Sequence, residues 1–498
     1  MITIPNGRVR QSEYSPTRVT LRMSTLQHER LHTHLFPGDG CEAVAIALCG
    51  RAGTTTNEIL IIHQVVPVPY NDCEVRTRQR VTWSTSLLPP ILEEASKHNF
   101  GVLKIHSHPS GYPDFSVWDD QADRDLFPGV YGWTDTSRPH LSAIMLPDGW
   151  MRGRVVGAQT DLAVPVGRIM VTGRNIQLMD SEGPDDCEGN NDSIAVQLPR
   201  YAERTAQALG TSTTRLLARL RVGVVGCSGT GSIVVEMLAR LGVGALVLVD
   251  PDRVEETNLN RILNATAADA AARLHKVEVL GRAIHAMGLG TNVSGLAEDV
   301  FGASVVRTLS SCDVVMGCVD TVDARELLNR LCVYYLLPYI DVGVRLEADG
   351  EGGIEQIVGS VHYLHPEGTN LMERGLYTSK QLHDAGLRRT DPSEYASQVR
   401  AKYISGASED RPAVVSTNMC YASLAVNELL ARLHPIRDDG NTDIDVVSLS
   451  LTQMRMFTDG YPSSARPFAR FVGRGDVSPL LGMPELSAPK RRKHEALA

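Results

Sequence analysis

Between residues 221 and 250 the chain reads R-V-G-V-V-G, C-S-G-T-G-S, I-V-V-E-M-L-A-R-L and then A-L-V-L-V-D. A β-branched run, a glycine-rich turn, an apolar stretch with helical spacing and a second β-branched run make a βαβ unit. Strands joined this way run parallel, and a parallel sheet needs helices on both faces. This one segment predicts an α/β fold with a Rossmann-like, doubly wound sheet. Strand-like runs at 312–318 and 339–344 extend the sheet. Helical patterns at 198–220 and 414–433 flank it, and the polar, poorly periodic stretch 366–411 reads as an excursion.

A chain of 498 residues has room for more than that domain. Upstream, 42–49 alternates large and small residues, 59–67 and 101–105 read as strands, 87–99 has helical spacing, and 140–156 reads strand–turn–strand. This predicts a mixed α/β domain over 1–165. The acidic, glycine-rich stretch 180–193 marks a linker, placed at 166–196, before a second domain at 197–475. Residues 476–498 read as a flexible tail, closing with a solvated P-K-R-R-K at 489–493.

A net charge of −9 argues against a coat for phosphate backbones, so no nucleic-acid partner is expected. Nine cysteines without a C-x-x-C pair argue against both a zinc ribbon and a disulfide framework. The longest apolar runs, such as 241–249, are about half a membrane span, and the first ten residues lack the apolar segment of a signal peptide. The expectation is a soluble, cytoplasmic protein with no membrane partner.

Two constellations carry chemistry. The first is K-I-H-S-H-P-S-G-Y-P-D-F-S-V-W-D-D. His106 and His108 stand two apart at the end of a predicted strand, so both rings leave one face. A hydrolytic zinc takes three N/O ligands, and Asp114, Asp119, Asp120 and Asp123 are all near enough in sequence to supply the third. Ser116 and Asp119 also have the spacing of a helix cap. Upstream, Glu42 shares a strand face with Val44, Ile46 and Leu48, where desolvation raises a carboxyl pKa and suits it to proton transfer. H-S-H-P, the later Ser116 and Asp119, and an upstream glutamate together resemble the JAMM (MPN+) zinc isopeptidase family over about residues 15–160. The resemblance implies His106, His108 and Asp119 as Zn²⁺ ligands, Glu42 as general base and Ser116 as a stabiliser of the tetrahedral intermediate. It also implies cleavage after the C-terminus of a ubiquitin-like protein.

The second is the turn G-C-S-G-T-G, with Gly226, Gly229 and Gly231. It departs from the dinucleotide fingerprint at Ser228. Asp250 ends the next strand, where ribose hydroxyls are read. D-P-D-R-V-E-E-T-N-L-N-R puts Asn258 and Arg261 about one helical turn apart, with Lys276 about four turns on if the helix continues, and Asp320 ends another apolar strand. Such cations and acids at strand ends suit ATP–Mg²⁺ better than a nicotinamide. As a set they resemble the ThiF/MoeB family, the adenylating domain of ubiquitin-activating enzymes, over about 198–435. The resemblance implies Asp250 on the ribose, Asn258, Arg261 and Lys276 on the phosphates and Asp320 on magnesium. It implies a homodimer through this domain, with Arg204 crossing to the partner's ATP, although Arg200 is close by. Many members carry a crossover-loop cysteine and a structural zinc; here no cysteine lies between Cys332 and Cys420, and the C-x-x-C pairs are missing.

The combined expectation is a bifunctional enzyme that trims or deconjugates a ubiquitin-like protein and adenylates its C-terminus, as in bacterial ubiquitin-like modification systems, some of them linked to defence. A separate conjugating enzyme is a further candidate partner. The rivals are activation of a sulfur carrier for cofactor or cysteine synthesis, and a non-catalytic module that binds ubiquitin-like proteins.

Overall fold

The computed structural model describes residues 18–54, 56–158, 162, 164–181, 198–349, 351–402, 404, 413–461 and 469–487. The chain divides into two compact units, one centred on Gln27–Ile169, the other on the residues from 198 onward. The P-K-R-R-K run and the acidic stretch from 182 lie outside the described residues.

In chain order the first strands are β1 (Arg18–Ser24), β2 (Val44–Gly53), β3 (Asn57–Pro67), β4 (Cys73–Arg76), β5 (Val81–Trp83), β6 (Gly101–Ser107), β7 (His140–Met145), β8 (Met151–Val156), β9 (Arg168–Thr172) and β10 (Ile176–Asp180). Eight of them form one sheet in the order β10-β9-β1-β3-β2-β6-β7-β8, and β4 pairs with β5 alone. β6 is buried along its whole length, its polar Lys104, His106 and Ser107 included. The helix Leu88–His98 has Pro at its start, ends on Asn99 in the left-handed conformation, and buries Leu88, Ile91, Leu92 and Ala95. That spacing is one helical face, and it packs with Phe127 and Val130 of the helix Val117–Thr134 over Ile46, Leu48 and Val102.

The second unit holds β11 (Arg221–Val225), β12 (Ala245–Val249), β13 (Asn292–Leu296), β14 (Val314–Gly317), β15 (Tyr339–Ala348), β16 (Ile354–Leu364), β17 (Val446–Ser450) and β18 (Arg455–Asp459). Their order is β13-β12-β11-β14-β15-β16-β17-β18. Pairing is parallel from β13 to β15 and antiparallel from there on. β11 leads to β12 on one side and borders β14 on the other, so the connections diverge beyond the ends of β11 and β14. Open α/β sheets bind ligands in the crevice at such a switch point.

Several boundaries differ from the sequence reading. Residues expected in the linker form β9 and β10, whose R-I-M-V-T run is buried throughout. Part of the expected tail folds: 3₁₀ turns span Leu480–Gly482 and Pro484–Leu486, and Asp476 accepts a hydrogen bond from Tyr335 Oη at 2.6 Å. The polar excursion contains helices Ser379–Thr390 and Pro392–Arg400, neither of which buries a residue, so no apolar stripe announced them. No helix among the described residues is long and apolar enough to cross a membrane.

Candidate functional site

The first group of residues is assembled by strand register. β2 runs antiparallel to β6 with Val44 opposite His106, so Glu42, two residues earlier, falls beside His108. The Ala43 N–H donates to Ser107 Oγ at 2.9 Å and the Ser107 N–H to the Ala43 carbonyl at 3.0 Å, which ties the two segments together. Glu42 was expected on one strand face with Val44, Ile46 and Leu48; it precedes β2, which starts at Val44 and is buried on both faces.

Of the four nearby aspartates, only Asp119 reaches the histidines. His106 Nε2 lies 2.9 Å from Asp119 Oδ1, His108 Nε2 3.5 Å from Asp119 Oδ2, and the two Nε2 atoms 3.1 Å apart. Asp114 pairs with Arg152 and Asp120 with Arg154. Asp123 turns inward to Lys104 at 2.6 Å and Arg154 at 2.6 Å. The Ser116–Asp119 capping box is also real: the Ser116 N–H donates to Asp119 Oδ2 at 2.6 Å, and the Asp119 N–H to Ser116 Oγ at 3.3 Å. The cap fixes the carboxylate that faces the imidazoles.

The electrostatics follow from burial. Burial pushes the Glu42 carboxyl up to about 7, with His108 opposing and Asp119 reinforcing. Burial works against the Asp119 charge, yet His106 and His108 hold it well below the usual carboxylate range. Burial lowers His106; His108 is raised because Asp119 and the Tyr112 carbonyl outweigh its desolvation.

The donor set fits a zinc ion. Two imidazole nitrogens and one carboxylate oxygen lie within 4.8 Å of one another, the three-ligand N/O complement of a hydrolytic site. His108 Nδ1 sits 2.8 Å from the Tyr112 carbonyl. That bond keeps the proton on Nδ1 and turns the Nε2 lone pair inward.

The second group gathers at the switch point. Gly226 follows β11 with φ +88°, and a Cβ there would stand 2.5 Å from the Cys318 carbonyl. A Cβ on Gly231 would overlap the Gly226 carbonyl. These two positions admit only glycine if the loop is to stay closed. Asp250 accepts from the Cys227 N–H at 2.7 Å and the Asp252 N–H at 2.9 Å, and faces Lys276 Nζ at 3.7 Å. Burial raises its pKa against the pull of Lys276 and those backbone donors. Lys276 also binds Asp252 at 2.7 Å. The long helix expected between Asn258 and Lys276 does not form. A 3₁₀ turn Glu256–Asn258, a short helix Ala267–Ala271 and a new helix beginning at Lys276 replace it, each opened by its own capping box.

Asn258 is buried and accepts from the Glu255 N–H at 3.2 Å. Arg261 donates to the Thr257 carbonyl at 2.7 Å and Asn260 Oδ1 at 3.0 Å. Asp320 is exposed three residues beyond β14. Arg204 is exposed in the helix Glu203–Arg219. Cys420 is a half-buried free thiol in the helix Val415–Leu433.

Some residues at both centres escaped the sequence reading. Lys104 and Arg154 bind Asp123, on the helix that bears Asp119. Asp341, fully buried on β15, accepts from Tyr339 Oη at 2.6 Å and pairs with Arg325 at 3.2 Å. Asn418 lies against Gly229. A polar residue on the buried face of an apolar helix was the available signal for Asn418.

The ThiF family model matches residues 201–461, just over half of the 498 residues. The chain is 26% identical over 142 residues to the sulfur carrier protein ThiS adenylyltransferase of Bacillus subtilis, covering 28% of this chain and 42% of that protein. It is 29% identical over 175 residues to the SAMP-activating enzyme E1 of Haloferax volcanii, covering 35% and 60%. It is 30% identical over 161 residues to ubiquitin-like modifier-activating enzyme 5 of Drosophila persimilis, covering 30% and 39%. The chain thus spans about two fifths to three fifths of the length of these relatives. Escherichia coli MccB solved with ATP overlaps 54% of this chain and 73% of its own at 17% identity, with a TM-score of 0.39. The matched region starts at residue 201 and leaves His106, His108 and Asp119 outside it. By the extent of that match, the chain belongs to the ThiF family.

Proposed function

We propose that the chain is a two-site enzyme of a ubiquitin-like protein system. Its second unit activates the C-terminus of a ubiquitin-like protein with ATP–Mg²⁺, and its first unit cuts after that C-terminus. The observation that carries the activating half is the closed glycine loop at the switch point with Asp250 and Lys276 beside it, inside the ThiF match. Each Asp250 oxygen accepts one backbone N–H and keeps a lone pair for a ribose hydroxyl. Asn258, Arg261 and Lys276 supply donors for the phosphates, the glycines let backbone N–H groups approach them, and Asp320 is the residue assigned to magnesium. In a homodimer Arg204 is the residue assigned to the partner's nucleotide. The named relatives are an adenylyltransferase and two activating enzymes, which supports the same reaction class.

The cutting half is the JAMM-type reading of the first unit, and His106, His108 and Asp119 are its zinc ligands. A zinc ion held there supplies Lewis acidity to the carbonyl under attack. Glu42, beside His108, takes the proton of the attacking water and returns it to the leaving amine. Ser116 keeps its hydroxyl proton for the oxygen that develops charge.

ATP–pyrophosphate exchange that depends on a ubiquitin-like protein tests the activating half. Arg261→Ala or Asp320→Ala should abolish exchange while cleavage of an extended precursor persists. Glu42→Ala should do the reverse. Loss of both activities in any one variant contradicts two independent sites. The sulfur-carrier reading keeps one specific support, the likeness to the ThiS adenylyltransferase; ATP-dependent incorporation of sulfide into the carrier's C-terminus would select it.

A further inference from the structure

We infer that Asn418 is a direct ligand of the nucleotide's phosphates, a side chain that closes the glycine loop from the opposite helix. The inference rests on the nucleotide reading of this site given above. Asn418 lies in the first turn of the helix Val415–Leu433 and is 6% exposed. Its neighbours on the buried face are Thr417, Tyr421, Ala422 and Ala425. A carboxamide among such residues is usually hydrogen-bonded, because burying it unpaired costs free energy. Here only its backbone is engaged, the Asn418 N–H donating to the Val414 carbonyl at 3.1 Å. Neither side-chain atom has a partner among the described residues.

The position of that free amide gives it a use. It lies so close to Gly229 that a Cβ there would overlap Asn418 Nδ2, while Arg261 Cδ would stand 3.3 Å from the same Cβ. Gly229 opens the 12-residue helix Gly229–Arg240, and Ser228 before it makes no side-chain capping bond. The first N–H groups of a helix have no partner within it. Three sources of donors therefore converge on Gly229: the start of the helix, the Asn418 carboxamide and the Arg261 side chain. All three are satisfied by an anion with several acceptor oxygens, and a polyphosphate is the anion this class of βα turn takes.

The test is calorimetric binding of ATP–Mg²⁺ and of adenosine to the full chain without any protein substrate, for wild type, Asn418→Ala and Asn418→Asp. Leaving out the protein substrate removes its carboxylate as the alternative anion. Both variants should bind ATP at least about tenfold more weakly, the effect of losing a hydrogen bond to a charged group. Both should bind adenosine as wild type does. The ligand-free melting temperature of Asn418→Ala should be unchanged or higher, because no internal bond is lost. ATP affinity within twofold of wild type in both variants overturns the inference. So does an equal loss for ATP and adenosine with a lowered ligand-free melting temperature, which marks Asn418 as packing. Wild type failing to bind ATP would overturn the nucleotide reading itself, and the inference with it.

Discussion

Asp123 has no exposed side-chain surface, and it holds Lys104 Nζ at 2.6 Å and Arg154 through Nη2 at 2.6 Å and Nε at 3.1 Å. Burial opposes its charge, but Lys104 and then Arg154 hold its carboxyl below the usual range. Asp123→Asn preserves the shape and removes the charge. It leaves Lys104, with its side chain only 6% exposed, beside a neutral amide, and Arg154, 8% exposed, with Asp120 as its remaining carboxylate. Removing one partner of a buried pair costs about 3–5 kcal/mol. All four tryptophans, Trp83, Trp118, Trp133 and Trp150, lie in the first unit. Intrinsic fluorescence of the whole chain therefore follows that unit alone. With a urea slope of about 2 kcal/mol per molar, the midpoint should fall by about 1.5–2.5 M. A depressed folded pKa contributes stability that is present above the unfolded pKa and is lost as the pH falls through the folded one. The gap between wild type and variant should therefore narrow in acid. A shift below about 0.5 M at neutral pH, on the order of 1 kcal/mol at that slope, would refute the claim that this pairing holds the helix bearing Asp119.

Three further predictions follow the same physics. Asp119→Ala and His108→Ala should each reduce zinc from one ion per chain to none by elemental mass spectrometry, and an unchanged content would exclude that ligand. Gly231→Ala should abolish ATP binding and lower the unfolding midpoint, since its Cβ overlaps the Gly226 carbonyl; calorimetric affinity within twofold of wild type would show that the loop yields. Burial pushes His362 and His365 down to about 3, so both stay neutral in the fold while the unfolded chain protonates them near 6.5. Their contribution is intact above 6.5 and is lost as pH falls from there toward 3; His362→Gln should reduce the acid slope of stability, followed by circular dichroism, by about 1.4 kcal/mol per pH unit.

Where sequence period and tertiary burial agree, the elements were legible: the strand–loop–helix–strand run from Arg221 to Val249, the helix Leu88–His98 and the strands flanking the turn after Met145. Elsewhere local signals were overridden. β9 and β10 stand close before an acidic stretch, so a composition window merged them into a linker. The region from Asn258 to Lys276 has residues compatible with a helix, but Thr266 and His275 start new caps that break it. At the first centre, H-x-H and a capping spacing pointed to side chains that the fold does bring together. Spacing alone left four aspartates open, because the choice depends on where Arg152, Arg154 and Lys104 lie, and those come from β6 and β8. Glu42 could be proposed from its apolar context, while its place beside His108 depends on the β2–β6 register. Asp341 comes from a distant strand with no local motif to mark it, and Asn418 was marked only as a polar residue on the buried face of an apolar helix.

The claim that matters most is that this chain activates the C-terminus of a small ubiquitin-like protein. Its most direct test is intact mass. The full chain is incubated with ATP–Mg²⁺ in lysate of the organism that encodes it, and the small proteins recovered with it are weighed, with and without thiol reductant. The account predicts an ATP-dependent C-terminal adenylate on one small protein, absent with Arg261→Ala; a reductant-sensitive adduct would in addition map the accepting thiol, with Cys420 the residue to check. Recovery of such a protein with an unmodified C-terminus, and no pyrophosphate released, would contradict it.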